Sequence, residues 1–193
     1  AALNRSTQSR TTCSVTLPSR AASLRDQFIL DVHTHYLRDD TRHMGFVEMR
    51  EAVGRAGLPQ VVSVGALDMV NFGPEETVPE RFAGRTLYVH NPTVTLMRTT
   101  PEENAELGRR IARKLSAAQG PTVLFVPLGG VSAIDVEGQP FHDPDADAAL
   151  FGALREGLDG SGVEVHELDA DVNDPDFAVA MADRLHALIQ EAR

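Results

Sequence analysis

Three times in its second half the chain repeats one local pattern: a polar cap residue, a proline, then an acid. The stretches are Thr100-Pro101-Glu102, Asp143-Pro144-Asp145 and Asp174-Pro175-Asp176. A cap side chain accepts an otherwise unbonded backbone N–H, proline fits the first helical position, and an acid there complements the partial positive charge of a helix start. Apolar residues follow each start at helical spacing: Leu107, Ile111 and Leu115; then Ala149, Leu150, Ala153 and Leu154; then Phe177, Met181, Leu185 and Leu188. Short apolar runs lie between these helices and before them. Val61–Val64, Leu87–Val89, Thr122–Val126 and Val163–Leu168 read as strands, and Phe28–Val32 as an earlier one. Regular alternation of strand and helix predicts an α/β fold. Its expected form is an open, mainly parallel five-stranded sheet, flavodoxin-like or Rossmann-like, in three layers. An eight-stranded barrel, at ~250 residues, is too large for the 193 present.

Residues 1–25 stand apart. They are rich in Ser, Thr and Arg and lack periodicity, which predicts a disordered or loosely attached tail ahead of a single domain at 26–193. The tail holds four arginines and no acid, so the rest of the chain carries all 28 acidic side chains against 14 of the 18 basic ones. That balance argues against nucleic acid as a partner, since phosphate binding needs a basic face. Cys13 is the sole cysteine, which fits a reducing, cytoplasmic setting. No apolar run reaches the ~20 residues of a membrane span.

In open α/β sheets, ligands bind beyond the carboxyl ends of the strands. Three polar loops are expected there. The loop 65–73 offers Gly65, Asp68 and Asn71; the stretch 90–100 offers His90, Asn91, Thr95, Arg98 and Thr99; the loop 128–135 offers Gly129, Gly130, Ser132 and Asp135. Together they predict one polar cleft for a small anionic molecule or a nucleotide. Arg98 has two readings: it grips a carboxylate or phosphate bidentately, or it ties its loop to an aspartate such as Asp68 or Asp135. Gly129-Gly130 either cradles phosphate with backbone N–H groups or makes a tight turn. His33 and His35, two apart on an extended backbone, project to one side and suit one divalent ion, zinc or manganese. His90, His142 and His166 are the histidines available to complete such a site, and a pair of hydrogen-bonded surface histidines is the alternative.

Four stretches carry a resemblance: G-R-A-G-L-P-Q-V-V-S-V-G-A-L-D-M-V-N-F-G at 54–73, L-Y-V-H-N-P-T-V-T-L-M-R-T-T-P-E-E-N at 87–104, P-L-G-G-V-S-A-I-D at 127–135 and V-N-D-P-D-F-A at 172–178. Across residues 54–188 the chain resembles the C-terminal half of a two-domain family that includes the tomato mosaic virus resistance protein. The resemblance implies two Rossmann-like domains in full-length members, with ATP bound mainly by the N-terminal one. Residues 26–51 instead resemble the opening of a metal-dependent amidohydrolase, which places a chimeric junction near 52–56. Three functions follow as expectations: a ligand- or nucleotide-binding domain working with a partner domain or as a homo-oligomer, a metal hydrolase using His33 and His35, or a non-catalytic interaction module.

Overall fold

The structure, a computed structural model, describes residues 53–192. The tail at 1–25, the expected strand Phe28–Val32 and the pair His33 and His35 lie outside the described residues.

The elements run in the order β1 (Gln60–Ser63), β2 (Met69–Phe72), β3 (Leu87–Asn91), β4 (Val94–Arg98), α1 (Pro101–Ser116), β5 (Thr122–Pro127), α2 (Pro144–Leu158), β6 (Glu164–Leu168) and α3 (Pro175–Glu191). Two single-turn 3₁₀ helices, Glu75–Thr77 and Glu80–Phe82, fill the connection between β2 and β3. All three cap-proline-acid starts open helices. At α1 the cap is reciprocal: Glu103 N donates to Thr100 Oγ1 (3.2 Å) and Thr100 N donates to Glu103 Oε2 (2.8 Å). Asp143 accepts from Ala146 N (3.0 Å), and Asp174 from Asp176 N (2.8 Å).

The strands form two sheets rather than the expected five-stranded one. β1, β5 and β6 make a parallel sheet in the order β1-β5-β6, with Gln60 opposite Thr122 and Val123 opposite Glu164. β2, β4 and β3 make an antiparallel sheet in which Met69 faces Arg98 and Leu87 faces Met97. The run Leu87–Val89 is therefore a strand of the second sheet, not of the parallel one. The stretch 90–100, expected as a turn into a helix, contains the whole of β4, and the loop 65–73 contains β2. Asn91 explains the difference: its Oδ1 accepts from Thr93 N and Thr93 Oγ1, both at 2.9 Å, and closes a hairpin.

Helices cover both faces of the parallel sheet, and the side chains of β5 alternate between them. Leu124 and Val126 pack with Leu107 and Leu115 of α1 and with Leu150, Phe151 and Leu154 of α2. Val123 and Phe125 pack on the opposite face with Phe177 and Leu188 of α3. All six residues of β5 are buried, as an apolar run without polar alternation requires. Among the described residues no helix is long and apolar enough to cross a membrane.

Candidate functional site

At the carboxyl ends of β1 and β5 the connecting loops bond to one another. After β1 the chain turns sharply, with Ala66 at φ 58°, the left-handed region that non-glycine residues seldom occupy. That turn is fixed by Ala66 N donating to Val131 O (2.7 Å). Asp68 follows, fully buried. Its backbone carbonyl accepts from Thr99 N (2.9 Å), and its Oδ2 accepts from Ser132 Oγ (2.6 Å). Its Oδ1 is buried with no partner among the described residues.

Arg98, the last residue of β4, is the hub. Nε donates to Phe141 O (2.7 Å), Nη1 to Thr99 Oγ1 (3.2 Å), and Nη2 to Asp135 Oδ1 (2.9 Å) and Asp147 Oδ1 (2.8 Å). With its amide turned so that both ends are satisfied, Asn104 of α1 joins them, accepting from Arg98 Nη1 (3.2 Å) and donating to Leu67 O (3.1 Å). Asp135 Oδ2 accepts from Val131 N (2.9 Å), which folds the loop after β5 back on itself. Of the two readings of Arg98, the structure shows the tie to Asp135, extended to Asp147. Every N–H of the guanidinium is directed inward.

Two carboxylates bond one guanidinium, a third, Asp68, lies within reach of its charge, and all are largely shielded from solvent. Arg98 is 5% exposed, Asp135 0% and Asp147 13%. Burial raises the Asp68 carboxyl above the usual carboxylate range; the Ser132 hydrogen bond and the charge of Arg98 offset this in part. Burial also raises Asp135, opposed by the Val131 N–H and by Arg98. Asp147 is pushed up to about 6, first by burial and then by the charge of Asp135, despite its bond to Arg98.

Beside this network lies a hollow of about 260 Å³ between the loop after β5 and the start of α2. Leu128, Ala148 and Phe151 give it an apolar wall, and His142, Asp147 and Arg155 a polar one. The Asp135 carbonyl, 3.0 Å from His142 Nδ1, can only accept, so the ring proton sits on Nδ1 and Nε2 is the other polar edge. Arg155 Nε donates to Glu167 Oε1. A larger depression of about 580 Å³ runs along β6 among Leu158, Asp159, Gly160 and Val165. It shares Arg155 with the hollow but none of the buried network, which makes it the poorer candidate.

Five of the expected residues thus meet: Asp68, Arg98, Thr99, Ser132 and Asp135. Gly65, Gly129 and Gly130 stand beside them and serve packing. A Cβ on Gly129 would lie 2.8 Å from the backbone of Ala170, whose carbonyl accepts from Gly129 N (2.9 Å), so the loops after β5 and β6 touch only because no side chain intervenes. Thr95 is buried within β4, its hydroxyl without a partner among the described residues. Asn71, His90 and Asn91 are exposed on the antiparallel sheet and take no part in the network. Sequence reasoning missed Asp147 and Asn104, which carry no local signal: each lies within the first turns of a helix and reads as a solvated helix residue. His142 drew notice only as a metal ligand. Among the described residues no group of three or more His, Cys, Asp or Glu is placed to hold a metal ion.

Fold and network define a three-layer α/β domain with a buried arginine–aspartate centre at the carboxyl edge of its parallel sheet. The model of the uncharacterised protein family UPF0261, C-terminal domain, matches residues 9–189, and the chain belongs to that family. A UPF0261 protein of Clostridium tetani is 53% identical over 141 residues, covering 73% of this chain and 35% of its own length. One of Rhizobium meliloti is 56% identical over 130 residues, 67% of this chain and 33% of its own. The ToMV resistance protein Tm-1(GCR237) of Solanum lycopersicum is 40% identical over 144 residues, 74% of this chain and 19% of its own. The chain therefore spans about a third of the length of these bacterial relatives.

Proposed function

We propose that the domain forms one wall of a small-molecule site and that the ligand is a nucleotide, held here through its hydroxyl-bearing nucleoside part. The observation that carries this reading is the hollow itself, where a carboxylate anchored through one oxygen borders an apolar surface. Asp147 supplies an acceptor for hydroxyl donors, while Leu128 and Phe151 supply area for a flat base. The phosphates of ATP do not belong in this hollow. Arg98 has no donor left for them, and three neighbouring carboxylates oppose a further negative charge. Those phosphates would rest on a partner domain of the longer family members, or on a second copy of the chain.

The test is calorimetric titration and thermal shift with adenosine and with ATP. Both ligands should raise the melting temperature by several degrees at saturation, following mass action. Ala148→Trp, which fills the hollow from its apolar side, should abolish both shifts and leave the network intact. Absence of any shift, or equal binding by the filled variant, removes the proposal.

A further inference from the structure

Four segments deliver ionisable groups to the network: Asp68 from the turn after β1, Arg98 from β4, Asp135 from the loop after β5 and Asp147 from α2. Arg98 Nη2 is shared between Asp135 Oδ1 (2.9 Å) and Asp147 Oδ1 (2.8 Å), which draws two carboxylate oxygens onto one nitrogen. Asp68 Oδ1 is buried in the same network with nothing to bond among the described residues. Full ionisation would leave two negative charges uncompensated where water scarcely reaches, and like charges so close resist ionising together.

Two other arginines near the network are engaged elsewhere. Arg155, across the hollow on α2, is bonded to Glu167, and Arg85 is bonded to Glu103 of α1. Asp143 presents its carbonyl, not its carboxylate, to Arg98.

We propose that this cluster is a proton switch: it carries one exchangeable proton shared among Asp68, Asp135 and Asp147, and release of that proton sets the charge of the hollow's wall through Asp147. Asp147 is the outlet because it lines the hollow and, at 13% exposed against 0% for Asp135 and for Asp68, is the least buried of the three. The raised carboxyls of all three aspartates, Asp147 at about 6, agree with this. A carboxyl raised in the folded state favours folding below its unfolded value of 3.8, and that contribution is lost as pH rises through the folded value. The switch thus acts between about pH 4 and 7. Below it the wall is a hydrogen-bond donor, and above it an anionic acceptor.

The inference does not depend on what occupies the hollow. Carboxyl-carbon NMR of the full chain, titrated from pH 3 to 8, should show one aspartate midpoint near 6. In parallel, the melting temperature of Asp147→Asn relative to wild type should rise with pH from about 4 to 6, between the unfolded and folded values, because the amide never ionises. Asp68→Asn should alter the same midpoint if Asp147→Asn does not fold. All aspartates titrating below about 4.5, or a variant-to-wild-type difference that is flat with pH, overturns the switch. Failure of adenosine to bind would leave it standing.

Discussion

Arginine offers five N–H donors, and Arg98 has partners for all of them on Phe141, Thr99, Asn104, Asp135 and Asp147. Lysine has three donors on one atom and cannot span this set. Removing the guanidinium strands carboxylates that are 0% and 13% exposed. Leaving a buried charge unpaired typically costs about 3–5 kcal/mol, far more than a surface pair contributes. Arg98→Ala is therefore expected to lower stability by about that amount in urea denaturation at pH 7. A loss under about 1 kcal/mol would show that the pair is as weak as an exposed one. Part of this was legible beforehand, since Arg98 and Asp135 were paired as one of two readings. What the sequence does not carry is the number of acids around the guanidinium. That number depends on Asp147, placed by the docking of α2 and by nothing near it in the chain.

Helices were the easiest elements to read because their starts are written in three adjacent residues. Strand direction was not, because a short apolar run fits a parallel or an antiparallel partner equally well. Leu87–Asn91 and Val94–Arg98 show the point: Asn91 and Thr93 between them make a hairpin, while the same residues also suit a polar turn at a sheet edge. Helix packing has a similar blind spot at Gly108 of α1. A Cβ there would lie 2.7 Å from Leu150 O and 2.8 Å from Ala153 Cβ of α2. In an isolated helix, alanine for glycine gains about 1 kcal/mol. Overpacking a close helix crossing costs about 1–3 kcal/mol, and backbone on the far side cannot give way. Gly108→Ala should therefore destabilise the fold despite its better propensity, read as a lower urea midpoint with an unchanged slope. A higher midpoint would mean that the crossing is looser than these distances require. Thr100→Val tests the opposite kind of site, where the reciprocal cap at α1 depends on one hydroxyl. It should cost about 1 kcal/mol by the same measurement.

Above single elements, the two sheets share no ladder among the described residues; polar links and the edge-on contact of Tyr88 with Phe141 (6.3 Å) join the segments around them. Thr99 N bonds Asp68 O, Arg85 spans Arg98 O and Glu103, and Arg98 reaches the loop after β5 and the start of α2. The parallel sheet has its own support, since β5 is buried between α1 and α2 on one side and α3 on the other. The antiparallel sheet exposes Asn71, Val89, His90 and Asn91 and is held in part from its Arg98 end. Local opening follows such differences in burial, so the two sheets should not respond equally when the network is cut. Hydrogen exchange on Arg98→Ala, at a denaturant-free pH where the variant remains folded, should show faster exchange for the amides of β3 and β4. Val123–Val126 of β5 should keep the protection set by the remaining global stability. If β5 loses protection in step with β3 and β4, the sheets open as one cooperative unit, and the network is then only one more part of a single core. If they separate, the arginine cluster is the joint that carries motion of the antiparallel sheet to the wall of the hollow, because the same guanidinium holds Asp147 there.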